Sequence, residues 1–123
     1  MKIKTLNKSG FTLVEIMIVV AIIGMLASIA IPNFVRARSV SQANACINNL
    51  RQMDGAVQQW ALENQKSSTA HYTLSVLNPY LKLDSDGNRP SCPAKGDYAA
   101  GNTVTNPPTC SLSTSLPNAH SLP

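Results

Sequence analysis

The stretch Gly10-Phe11-Thr12-Leu13-Val14-Glu15 runs directly into Ile16-Met17-Ile18-Val19-Val20-Ala21-Ile22-Ile23-Gly24-Met25-Leu26-Ala27-Ser28-Ile29-Ala30-Ile31-Pro32, and its reading decides the fold. Phe11 to Ile31 are 21 residues with a single charge, Glu15. At ~1.5 Å of rise per residue, a helix of that length covers about 30 Å, the hydrocarbon thickness of a bilayer. Placing a carboxylate in such a span is costly. Insertion scales charge ~2.5–3.5 kcal/mol for an acid at a helix centre, and less nearer its end. Glu15 is therefore a functional candidate, and its partner has to be named.

Lys8-Ser9-Gly10 ahead of Phe11-Thr12-Leu13-Val14-Glu15, followed by the apolar run to Ile31-Pro32, closely resembles the type IV prepilin signature. Type IV pilins and the pseudopilins of type II secretion systems share that signature. The resemblance is strong over residues 8 to 40 and architectural beyond them. It implies cleavage between Gly10 and Phe11 by a prepilin peptidase, then N-methylation of Phe11. It also implies that the apolar helix packs with its copies in a filament core, after a period in membrane lipid. The carboxylate matching Glu15 would pair with the N-terminal amine of an adjacent subunit and set axial register. Gly24 and Pro32 match the pattern at the segment that loses helicity on assembly. The cut would create an α-amino group one helical turn before Glu15, which then falls in the first turn, where the macrodipole favours an anion. A secretory signal peptide has the reverse order, its apolar core ahead of its cleavage site. Here the apolar segment stays in the mature chain.

At 123 residues the chain is expected to form one domain. Its formal net charge of +4 is largely a property of the leader, residues 1–10, which holds Lys2, Lys4 and Lys8. Without the leader, 7 basic side chains face 6 acidic ones, and nothing general argues for nucleic acid or an anionic surface as a partner. The leader lysines favour a cytoplasmic N-terminus, with residues after Pro32 in the periplasm and a single pass through the inner membrane. Arg36 and Arg38 weaken that asymmetry, so the orientation rests partly on the resemblance.

After Pro32 the hydrophobic pattern becomes amphipathic. Val40, Ala43, Ile47, Leu50, Val57 and Ala61 recur at steps of three and four, and Cys46, Met53 and Trp60 widen the stripe. Ser41, Gln42, Asn48, Asn49, Gln52, Gln59 and Glu63 fall on the opposite face. The spacing predicts one helix from about 11 to 64, with a lipid or filament half (11–31) and an amphipathic half (32–64). Pro32, which removes a backbone hydrogen bond, should kink it.

Residues 65–123 must cover the amphipathic half. Of these 59 residues, 22 are Ser, Thr or Pro, a density that predicts turns and few regular elements. Leu74 to Leu81 reads as a short helix or turn, with Leu74, Leu77, Tyr80 and Leu81 inward. Asp97-Tyr98-Ala99-Ala100 and Thr109-Cys110-Ser111-Leu112 read as a pair of short strands. The expected class is α+β: a long N-terminal helix, about 11–64 and kinked near Pro32, with a small, loop-rich region containing a short β-hairpin or small antiparallel sheet, an arrangement that resembles pilins.

Cys92 and Cys110, in the exported part and flanked by turn residues, are separated by 17 residues. A disulfide closing that loop would stabilise by about 3 kcal/mol on a chain-entropy estimate, and the resemblance to pilins with a C-terminal disulfide loop implies the same pair. Cys46 is then a buried small hydrophobe, with pairing to either of the others or to another chain left open. No cysteine spacing resembles a zinc site, and His71 and His120 read as solvated loop residues. The run Asp84-Ser85-Asp86-Gly87-Asn88 offers oxygens of the type calcium takes, and major pseudopilins bind calcium in a C-terminal loop. Its spacing fits a calcium loop poorly, however, and Asp-Gly and Asn are turn formers. No cofactor is expected.

No nucleophile–base pair, phosphate-cradling loop or carboxylate pair has a catalytic setting, so no enzyme is expected. The expected role is a structural subunit of a type II secretion pseudopilus. It would form a homo-oligomeric filament with other pilin-like subunits, on an inner-membrane assembly platform. A type IV pilus subunit for adhesion, twitching or DNA uptake is the alternative, as is an unassembled membrane-tethered periplasmic protein. For DNA uptake, Arg89 and Lys95 are the available cations, and they lie close to Asp84, Asp86 and Asp97. Phe11, Phe34 and Trp60 are too sparse along the helix for electron transfer.

Overall fold

The structure, a computed structural model, describes residues 9–114 and 118–123. The leader lysines Lys2, Lys4 and Lys8 lie outside the described residues. Helix α1 (Leu13–Glu63) is followed by a 3₁₀ turn (Leu74–Tyr80) and two strands, β1 (Tyr98–Ala99) and β2 (Thr109–Cys110). The class is α+β, as the sequence predicts. The chain divides into two compact units, one ending at Arg36 and the other Ala37–Pro123.

In the first unit α1 runs through Gly24 and Pro32 as one continuous helix. Pro32 has no N–H to give the Ser28 carbonyl, the acceptor one turn earlier. Ser28 in turn donates its hydroxyl to the Met25 carbonyl at 2.7 Å. Apolar side chains point outward along the whole stretch, from Leu13 (75 % exposed) to Ile31 (61 %).

In the second unit the other half of α1 buries one stripe. Cys46, Leu50, Met53 and Val57 are inaccessible, with Ala43, Ala56 and Ala61 beside them. This is the predicted amphipathic face, except that Val40 stays exposed and Ile47 half-buried. Two clusters form along it. Ala56, Val57 and Ala61 pack with Tyr72, Leu77 and Val104, while Cys46, Leu50 and Met53 pack with Cys92 and Cys110. In the 3₁₀ turn Leu77 is fully buried and Leu74, Tyr80 and Leu81 partly so, matching the inward set expected there.

The helix ends in a Schellman arrangement. The Lys66 N–H donates to the Ala61 carbonyl (2.8 Å) and the Gln65 N–H to that of Leu62 (3.3 Å), with Gln65 left-handed at φ 51°. The strands pair antiparallel, Tyr98 opposite Cys110 and Ala99 opposite Thr109, within the two segments the sequence marks as strands.

With so little sheet, side chains bind the loops. Tyr72 donates its hydroxyl to the Asn106 carbonyl (3.1 Å) and accepts the Gly101 N–H (2.8 Å), closing the long hairpin loop. Gln58 reaches the Val104 carbonyl, Asn49 that of Ser91 and Gln42 that of Pro93. Gln42 and Asn49 thus depart from the expectation of a purely solvated face. They flank the buried stripe closely enough to pair backbone carbonyls that no strand satisfies.

Candidate functional site

The first candidate site is the start of α1. The Glu15 N–H donates to Thr12 Oγ1 at 3.2 Å, and the Thr12 N–H donates to Glu15 Oε2 at 3.5 Å. With the Ile16 N–H donating to the Thr12 carbonyl, Thr12 is the N-cap and the pair is a capping box. Reciprocal bonding satisfies two of the amide groups that a helix start leaves without partners. The signal for the capping box in the sequence is the pattern Thr12-x-x-Glu15 directly ahead of the apolar run. Ser9, Gly10, Phe11 and Glu15 line one shallow cleft, so the scissile bond inferred from the sequence and the carboxylate share a surface. Phe11 is 82 % exposed. Gly24 and Pro32, the other candidate assembly residues, both lie exposed within α1.

The second is buried. Cys46 on α1, Cys92 on the loop before β1, Cys110 on β2 and His120 near the C-terminus bring their sulfurs and one imidazole nitrogen within 4.8 Å of one another. The three cysteines are free thiols in this structure, and the Cys92 and Cys110 expected as a pair both belong to the group. His71 is exposed as expected, but His120 is not a solvated loop residue: it is buried, with Nδ1 3.4 Å from Cys92 Sγ. The backbone return that makes this possible is the His120 N–H donating to the Leu112 carbonyl.

The thiols have unequal surroundings. Burial pushes the Cys46 thiol up to about 12, against the pull of the hydrogen bond that Tyr98 donates to it. Burial acts the same way on Cys92, but the backbone amides of Gly96 and Ala94, with the neighbouring thiols, outweigh it and bring Cys92 below the ordinary thiol value. Burial also raises the Tyr98 phenol. Gly96 is held tight to the group: a Cβ there would lie 2.6 Å from Cys110 Sγ.

The Asp84–Asn88 loop is a turn by its hydrogen bonds. Asp84 Oδ1 accepts the N–H groups of Asp86 (3.0 Å) and Asn88 (2.7 Å), and Gly87 supplies a left-handed φ of 77°. Asp84 spends a carboxylate oxygen on its own loop, and among the described residues no third acidic group joins Asp84 and Asp86. Arg89 donates to Asn78 Oδ1 at 3.2 Å.

Residues 5–31 match the family described as the prokaryotic N-terminal methylation motif. The chain carries a prokaryotic N-terminal methylation motif. That motif contains Gly10, Phe11, Thr12, Glu15 and Gly24, and ends at Ile31. Curated relatives fall into two groups. The type II secretion system core protein G of Klebsiella pneumoniae is 34% identical over 71 residues, 58% of this chain and 51% of that protein. The type IV major pilin protein PilA of Myxococcus xanthus is 46% identical over 59 residues, 48% of this chain and 27% of that protein. The type IV major fimbrial protein FimA of Dichelobacter nodosus is 45% identical over 64 residues, 52% of this chain and 39% of that protein. The chain thus spans about half the length of the secretion relatives it matches, and less of the pilins. No solved structure gives a significant match. The helix that the methylation motif opens is long and apolar enough to cross a membrane.

Proposed function

We propose that this protein is a subunit of a type II secretion pseudopilus, polymerised through the first half of α1. The observation that carries the reading is the juxtaposition at the helix start. The methylation motif presents an exposed Gly10-Phe11 bond beside Glu15, and the large apolar side chains that follow, from Leu13 to Ile31, are exposed. In this reading a prepilin peptidase of the inner membrane cuts after Gly10, and Phe11 is N-methylated. The amine so formed is the counter-charge that makes Glu15 tolerable in an apolar setting, from the same chain in lipid and from a neighbour in the filament. Apolar packing then holds the bundle, and the Glu15–amine pair disfavours misregistered subunits. Ala37–Pro123 would occupy the periplasm on an inner-membrane assembly platform, and filament growth would push folded proteins outward.

Supporting the secretion role are the alignments to core protein G, which are longer than those to the pilins and cover more of the relative. A type IV pilus subunit is the second reading, favoured by the higher identity to the two major pilins. Intact mass of the membrane-associated protein tests the common part. A chain beginning at N-methylated Phe11 supports it, and a chain beginning at Met1 in assembled material contradicts it. Loss of secreted proteins with surface pili intact, in a strain lacking the subunit, would favour secretion; the reverse would favour the pilus.

A further inference from the structure

Four donors of the types that bind zinc, three thiols and an imidazole, converge from four parts of the second unit: α1, the loop before β1, β2 and the C-terminal segment. All four residues are buried. Tetrahedral zinc with thiolate bonds of about 2.3 Å sets its ligand sulfurs about 3.8 Å apart. The observed spread of at most 4.8 Å, with Cys92 Sγ and His120 Nδ1 at 3.4 Å, therefore needs only small side-chain movements to close on an ion.

We propose that Cys46, Cys92, Cys110 and His120 form a closed, four-coordinate structural site for one zinc-class divalent cation. A disulfide between any two of the cysteines would strand the third thiol and the imidazole in a dry interior. A metal uses all four. With four protein ligands and no solvent-accessible position, the site is of the structural type and not the catalytic type.

Loading exchanges three thiol protons for the cation. Zn²⁺, three thiols and one neutral imidazole give a complex of charge −1 and release three protons. Groups around the site are already placed for that residual charge. The Tyr98 hydroxyl donates to Cys46 Sγ at 3.4 Å. Asn49 donates to the Tyr98 oxygen (3.2 Å) and to the Ser91 carbonyl (3.1 Å), orienting both the phenol and the loop that delivers Cys92. Such outer hydrogen bonds aim and tune metal ligands. The site would tie α1 to both ends of a region with almost no sheet, where the hydrophobic core alone is small.

The test uses the full chain, reduced and metal-free in detergent micelles, titrated with Zn²⁺ alone against a chromophoric chelator. The expected result is saturable uptake of one equivalent, with release of three protons in weakly buffered solution. Co²⁺ in its place should give the visible bands of a tetrahedral ion together with sulfur-to-cobalt charge transfer. His120→Ala should weaken Zn²⁺ binding by at least about tenfold and change the Co²⁺ spectrum while leaving the helical circular dichroism in place. Because cysteine variants can unfold, the wild-type stoichiometry is the deciding measurement. Failure of the reduced wild-type chain to take up one equivalent overturns the proposal. So does Zn²⁺ binding that survives alkylation of the three thiols, or a His120→Ala chain of unchanged affinity and spectrum.

Discussion

The hydroxyl of Tyr98, on β1, donates to the sulfur of Cys46, on α1, at 3.4 Å, so the hairpin and the helix share a part-buried contact between two weak acids. Both groups are held in their neutral forms chiefly by burial, which raises the Cys46 thiol to about 12 and raises the Tyr98 phenol as well. Burial raises the Tyr72 phenol too.

In the reduced, metal-free chain these shifts predict loss of stability in alkali. Below the ordinary thiol and phenol values all three groups are protonated in both states. As pH rises from about 9 to about 12, the unfolded chain releases protons that the folded chain keeps, so unfolding gains free energy. Cys92, lowered instead, opposes this with a single group. Urea midpoints in micelles should fall between ~pH 8 and ~pH 10.5, and Tyr98→Phe should flatten the fall. A midpoint that holds steady or rises would contradict the burial of these groups.

Gly96 and Gly101 should resist alanine for different reasons. A methyl group at Gly96 meets Cys110 Sγ at 2.6 Å and Leu112 at 3.1 Å, whereas at Gly101 it meets the Asn106 backbone. Overpacking typically costs about 1–3 kcal/mol. Gly101→Ala is expected toward the top of that range, because a carbonyl held by Tyr72 cannot rotate aside as a side chain can. Chemical denaturation of both variants checks the order.

Gln65→Gly should stabilise. Gln65 sits left-handed at the Schellman turn that ends α1, a conformation that costs an L-residue about 1 kcal/mol and glycine almost nothing. The gain should appear as slower hydrogen exchange at the Lys66 amide. A loss of stability would mean that the Gln65 side chain has a role beyond its backbone.

Thr12 and Glu15 can be separated by substitution. Thr12→Ala removes one arm of the capping box and should loosen the first turn of α1 by about 1 kcal/mol, with filament yield largely kept. Glu15→Ala removes the other arm and the charge. It should leave membrane insertion intact while filament yield collapses. Equal collapse in both variants would make capping, and not register, the function of Glu15.

The long helix was legible because its two halves have different but regular patterns, an unbroken apolar run and then a stripe at steps of three and four. The hairpin is legible within a residue or two, since Tyr98 and Cys110 lie in short segments flanked by turn residues. The metal-type cluster was not legible. Cys46, Cys92, Cys110 and His120 show no ligand spacing along the chain, and only the packing of a late loop against α1 gathers them. His120 reads as solvated because it lies in an irregular segment with no ligand partner nearby in sequence, and its burial comes from the chain returning to Leu112. The loop-holding side chains Gln42 and Asn49 were hidden likewise, for a periodicity argument sorts residues by polarity and cannot see which carbonyls lack a partner.

The outward apolar side chains from Leu13 to Ile31 have a consequence for how such a subunit would be traded between membrane and filament. Lipid tails are as oily as the flanks of neighbouring helices, so the transfer exchanges one apolar solvent for another. The great gain from leaving water is made once, at insertion, and little of it is left to drive growth. Storage and polymer would then lie near equilibrium. Small polar increments at Thr12 and Glu15, together with mechanical work supplied by other proteins, would decide which way the traffic runs.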